Sequence, residues 1–265
     1  MERKSRMQVI DTIRGLTIVS MILYHLCWDL TYKGLMDQSS LFSLPAVLWQ
    51  KSICCSFILI SGFCFPFGRH QLKRSLIITG LSVLITAVTV IFLPDERIIF
   101  GVLTLLGLSG LITAGLSALF LRIRTKKQSA CPGAGQSSAP SSGGRCVKYI
   151  LPLVTLALFI LTFDINQGHL GFFTFKVTLP QSLFHGHFMT LLGFMDPEFY
   201  STDYFSLIPW YFLYLTGLFL NRAISDTKAV KYLYCPHNPF SYLGRHSLII
   251  YMLHQPILFA LVSLL

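Results

Sequence analysis

Seven apolar runs dominate this chain, at roughly 8–30, 46–67, 75–93, 98–121, 148–163, 205–221 and 246–264. A helix rises about 1.5 Å per residue, so about 20 apolar residues cross the hydrocarbon core of a bilayer. Only 12% of the residues are charged and 53% are hydrophobic, whereas a soluble domain carries about 25% charge. The expected fold is therefore all-α: a polytopic membrane helical bundle of about seven transmembrane helices. It forms a single integral-membrane domain over residues 1–265. The N-terminal MERKSRM is basic. The run after it is too long for a signal peptide and lacks a small-residue cleavage site, so it reads as a retained first helix.

The net charge of +10 does not point to nucleic acid, because the basic residues sit between the apolar runs. With a cytosolic N-terminus, sixteen basic residues fall on the inside, among them Arg3, Arg74, Arg122, Lys148, Arg222 and Arg245. Only Lys33, Lys51, Arg97 and Lys176 fall outside. This asymmetry follows the positive-inside rule and expects seven crossings of the cell membrane with an external C-terminus. Segment 128–144 is rich in Ser, Gly and Pro between basic flanks and reads as a flexible cytosolic linker. Segment 164–205 is too polar at its ends for a span. An eighth crossing there would also move the basic segment 222–245 outside, so it is expected to form an external loop with a short interfacial or re-entrant helix. The seven cysteines include no CxxC pair and read as small apolar residues or free thiols.

A polar stripe interrupts the first run. At about 100° per residue, the eleven steps from Arg14 to His25 return to nearly the same helix face, and His25 and Asp29 lie four apart on it. Asp11 and Arg14 are three apart at the cytosolic end. Ionisable groups inside a membrane helix face a cavity, a bundle interior or each other. His25 with Asp29 is a candidate general base with an orienting carboxylate, or else a hydrogen-bonded pair that only locks helices together. Arg14 with Asp11 is an internal ion pair, or a cytosolic site for a phosphate-bearing donor.

The last run carries a second polar set in LGRHSLIIYMLHQP: Arg245, His246, Ser247, Tyr251, His254 and Gln255. His254 lies near the expected mid-membrane depth, and Pro256 is positioned to kink the helix beside it. On the outside, DPEFYSTDYFSLIPW supplies Asp196, Glu198, Asp203, Tyr204 and Trp210. Acids with aromatics at a membrane entrance suit sugar recognition or form an interfacial belt. His185-Gly-His187 lacks further ligands at metal spacing, so no metal site is expected. No P-loop, GxGxxG or GxSxG motif is present.

Three blocks, IDTIRGLTIVSMILYHLCWDL, FYSTDYFSLIPW and YLGRHSLIIYMLHQPIL, with the shorter FGVLTLLGLSGL, give the chain a further meaning. With them it resembles the bacterial relatives of the heparan-α-glucosaminide N-acetyltransferase catalytic domain. The resemblance implies a transmembrane acyltransferase that moves an acetyl or acyl group from cytosolic acyl-CoA to an amine or hydroxyl of a sugar or cell-surface glycan. In the wider group an arginine and a histidine of the first helix recur, matching Arg14 and His25.

The reading that follows has His25, Asp29 and His254 as catalytic residues. Arg14 and Arg245 hold acetyl-CoA as donor substrate, with no resident cofactor, and Asp203, Tyr204 and Gln255 hold the acceptor. The partners are the lipid bilayer, acyl-CoA and the glycan; the oligomeric state is left open. The same intramembrane residues also suit a transporter or exporter of a small polar molecule, or a membrane scaffold without activity.

Overall fold

The computed structural model describes residues 7–130, 142–172, 175–234 and 236–264. In chain order the helices are α1 (Gln8–Tyr32), α2 (Gln38–Leu41), α3 (Leu44–Cys64), α4 (Gln71–Phe92), α5 (Val102–Ala130) and α6 (Ser142–Leu161). A two-stranded antiparallel hairpin follows, β1 (His169–Phe172) with β2 (Phe175–Thr178). The remaining helices are α7 (His187–Leu192), α8 (Leu207–Ile224), α9 (Pro239–Arg245) and α10 (Ser247–Ser263). The expected linker 128–144 is helical at both described ends, in α5 and α6. Its centre, 131–141, lies outside the described residues.

All seven apolar runs are helical. Among the described residues five helices are long and apolar enough to cross a membrane: Gln8–Tyr32, Leu44–Phe67, Gln71–Phe92, Val102–Arg122 and Val147–Gln167. The last run becomes a bent pair, α9 and α10, with 88° between them, and counts as a sixth crossing if the two act as one. The break sits at His246 (φ −97°, ψ 16°). α10 continues through Pro256, so the expected kink lies elsewhere than at the proline. α8 is apolar but starts irregularly. Ile208 is extended (φ −97°, ψ 128°), the conformation a following proline favours. Beyond the end of the span Val147–Gln167, the described residues of segment 164–205 hold no crossing helix; they carry the hairpin and the six-residue α7.

Two compact units divide the chain, Met1–Ile60 with Ile224–Leu265, and Ser61–Ala223. In the first, α1 packs on α9 and α10. Its core holds Ile18, Met21, Tyr24, Leu41 and Ile53, all buried. Trp49 closes on it, donating its indole N–H to Ser20 Oγ at 2.7 Å. The contact between α1 and α9 depends on two glycines. A Cβ on Gly15 would overlap the Phe240 carbonyl oxygen, and one on Gly244 would overlap that of Asp11. Small residues let membrane helices approach backbone to backbone.

The second unit uses the same device. Gly107 and Gly110 of α5 face Thr79 and Ser75 of α4, and Gly62 faces the Tyr214 carbonyl. Leu105, Ser109 and Tyr214 are among its most buried side chains. Cys27, Cys54, Cys55 and Cys64 form no disulfide.

Candidate functional site

The polar stripe of α1 resolves into two clusters within the first unit. The first lies at the start of the helix. Asp11 is 4% exposed and receives Arg14 Nη1 at 3.4 Å and Arg245 Nε at 3.7 Å. Arg245 also donates to Gln8 Oε1 at 2.9 Å and contacts the His237 ring. Asn238 caps α9, accepting the Ser241 N–H at 2.8 Å, and its amide reaches Thr12 Oγ1 at 2.9 Å. The tight glycine contact between α1 and α9 brings Arg245 within reach of Asp11. Two guanidinium groups thus converge on one carboxylate.

The second cluster lies eleven residues further along α1, about 16 Å at the helical rise. The His25 and His254 rings stand 4.8 Å apart, centre to centre, at 64° between planes. The Tyr24 ring lies 6.2 Å from that of His25. Asp29, 4% exposed, accepts Gln255 Nε2 at 2.9 Å. Spacing along α1 pairs Asp29 with His25. Across the helix interface the structure joins Asp29 to Gln255 and His25 to His254, because neighbours in α10 face residues four apart in α1.

Partner chemistry settles the hydrogen positions here. His254 Nδ1 lies 2.6 Å from the Tyr251 carbonyl oxygen. A carbonyl only accepts, so Nδ1 carries the proton, and in neutral histidine Nε2 then holds a lone pair. A carboxylate likewise only accepts, so the Gln255 atom facing Asp29 is N–H and its other atom is Oε1. Both His254 Nε2 and Gln255 Oε1 are buried and lack a hydrogen-bond partner among the described residues. They are two acceptors, and buried polar atoms left this way call for a donor.

Asp203 and Tyr204 lie in the second unit. Asp203 Oδ2 accepts the Val102 N–H at 3.3 Å, capping the start of α5. Burial pushes its pKa up to about 6 against the opposing pull of that hydrogen bond. Tyr204 donates its hydroxyl to the Thr190 carbonyl at 2.5 Å, and burial raises its pKa to about 12. Asp196 accepts the N–H groups of Gly186 and Glu198 at 2.7 and 3.0 Å, which lower its pKa. Among the described residues no group of three or more His, Cys, Asp or Glu side chains is placed to hold a metal ion.

Sequence reasoning overlooked His237, Gln8 and Asn238. Of these Asn238 was legible, since Asn before Pro is a helix-start signal. His237 and Gln8 meet Arg245 only through the fold.

Long apolar helices with ionisable side chains paired at helix contacts define a multi-pass helical membrane protein with two polar clusters along its first helix. The family model described as heparan-alpha-glucosaminide N-acetyltransferase, catalytic, matches residues 6–131 and 148–256. The chain belongs to that family, which carries a membrane acetyltransferase-like function. No curated protein and no solved structure matches it.

Proposed function

We propose that this protein transfers an acetyl or acyl group from acyl-CoA to an amine or hydroxyl of a sugar or cell-surface glycan. A glucosaminide is the first candidate acceptor, from the family description. The observation that carries the reading is the lone pair of His254 Nε2, buried, without a partner among the described residues, and beside a second imidazole.

The acceptor donates its N–H or O–H to His254 Nε2. Its nitrogen or oxygen attacks the thioester carbonyl carbon as the proton passes to the imidazole. The tetrahedral intermediate collapses, the C–S bond breaks, and the CoA thiolate leaves with a proton returned by the imidazolium. His25 lines the same position and, in a two-step route, carries the acyl group transiently while His254 remains the base. Gln255, held by Asp29, turns Oε1 toward a second donor on the acceptor.

Acyl-CoA is a substrate and no resident cofactor is required. The guanidinium groups of Arg14 and Arg245 suit CoA phosphates. The two polar clusters lie about 16 Å apart along α1, so a donor bound this way needs the long pantetheine arm that CoA has. We place the protein in the cell membrane with the N-terminus cytosolic and, with α8 as a seventh crossing, the C-terminus external. Ser138→Cys and Ser201→Cys, in a background without other cysteines, should then label from opposite sides.

The test is CoA release from acetyl-CoA by purified protein in nanodiscs, with D-glucosamine as acceptor and mass spectrometry of the product. Acetylated sugar formed in proportion to CoA supports the reading. Failure of D-glucosamine and of glucosaminide-terminated oligosaccharides to give any acetylated product, on folded protein, overturns it.

A further inference from the structure

The hairpin after α6 has two chemically different faces. Leu170 pairs with Val177, Phe172 with Phe175, Gly171 with Lys176 and His169 with Thr178. Opposed residues share a face, and so do alternate residues along a strand. Leu170, Phe172, Phe175 and Val177 therefore form one wholly apolar face. It is open: Phe175 is 89% exposed, Val177 67% and Phe172 56%. The opposite face is tied down, with Lys176 Nζ donating to Asp164 Oδ2 at 2.6 Å.

What covers the apolar face follows from its position. The membrane-crossing stretch Val147–Gln167 ends two residues before the hairpin begins. That stretch presents Leu153, Ile160 and Leu161 outward, a surface that meets lipid wherever the helix crosses. A groove of about 530 Å³ joins α6 to the hairpin, lined by Phe159, Ile160, Phe163 and Phe172 and bounded by Asp164 and Lys176. The apolar surface of the span thus reaches the hairpin at Phe172, the residue of the apolar face that lines the groove.

Among the described residues no third strand pairs with the hairpin, and unpaired backbone is not tolerated in the hydrocarbon core. Interfacial depth satisfies both demands: the backbone edges stay with water and headgroups while the phenylalanines reach the acyl chains.

We infer that the hairpin is a lipid-embedded anchor, its Leu170–Phe172–Phe175–Val177 face covered by the acyl chains of the leaflet at that end of α6. It sets the depth of α6 and of the ordered segment that follows.

Tryptophan placed on each face of the full chain, in phosphatidylcholine nanodiscs, tests this. The three native tryptophans are removed by subtracting the wild-type emission. Phe175→Trp should be quenched by acyl-chain-brominated phosphatidylcholine several-fold more than Thr178→Trp on the opposite face, and iodide should scarcely quench it. If Phe175→Trp fails to fold, Val177→Trp reports on the same face. Quenching by iodide puts the face in water and overturns the anchor. Quenching by neither reagent means that protein, including a second copy of this chain, covers the face, and overturns it equally.

Discussion

The imidazole of His254 lies with its ring centre 4.8 Å from that of His25, and its Nδ1 is spent on the Tyr251 carbonyl. Nε2 is left as the basic nitrogen. His254→Ala should reduce acetyl transfer by ~10²–10⁴-fold, the usual span of general-base catalysis, with folded yield maintained. His25→Ala should also lower the rate. Steady-state CoA release on well-folded variants reads both, and wild-type rates in both would remove the pair from the mechanism.

Asp29 and Gln255 form a buried hydrogen bond at 2.9 Å. Asp29→Leu leaves the Gln255 amide without that acceptor and should destabilise the protein by ~1–3 kcal/mol. Asp29→Asn keeps an acceptor oxygen and should cost less. Thermal unfolding of the two variants in one detergent gives the comparison; equal midpoints would show that the bond contributes nothing.

Gly244 sits where a Cβ would overlap the Asp11 carbonyl oxygen. Backbone cannot move aside as a side chain does, so Gly244→Ala should destabilise by about 3 kcal/mol, the upper range of overpacking. It should also loosen the contact of Arg245 with Asp11. At Gly80 a methyl group would meet nothing within 4 Å, and Gly80→Ala should be neutral or stabilising by ~0.5–1 kcal/mol. Unfolding midpoints that fall equally in both would refute the close approach.

Asp203 is raised from 3.8 to about 6 by burial. Between these values the folded state holds a proton that the unfolded state has released. The stabilisation is full below the unfolded value and is lost as pH rises through about 6, amounting to ~2–3 kcal/mol. Asp203→Asn, which keeps the acceptor for the Val102 N–H, should flatten this dependence. Unfolding midpoints taken across the range show it, and an identical slope in the variant would remove Asp203 as its source.

Much of this architecture is legible in the residues themselves. The seven apolar runs prescribe helices, because hydrocarbon leaves the backbone no partner outside its own segment. The spacing of Asp11, Arg14, His25 and Asp29 on α1 follows from helical period alone. The hairpin carries a readable signal too, the alternating LGFFTFKVT, masked by its place in a segment whose polarity suggests a loop with a short helix. The sequence by itself determined the class of protein, the family and the polar faces, since each depends on local spacing or on residue identity. Which polar group meets which was decided by tertiary structure alone. Asp29 meets Gln255, Asp11 meets Arg245 and His25 meets His254 across more than two hundred residues of chain. Those pairings depend on how closely α1 approaches α9 and on the bend at His246, and neither distance nor bend is encoded in the period of a single helix.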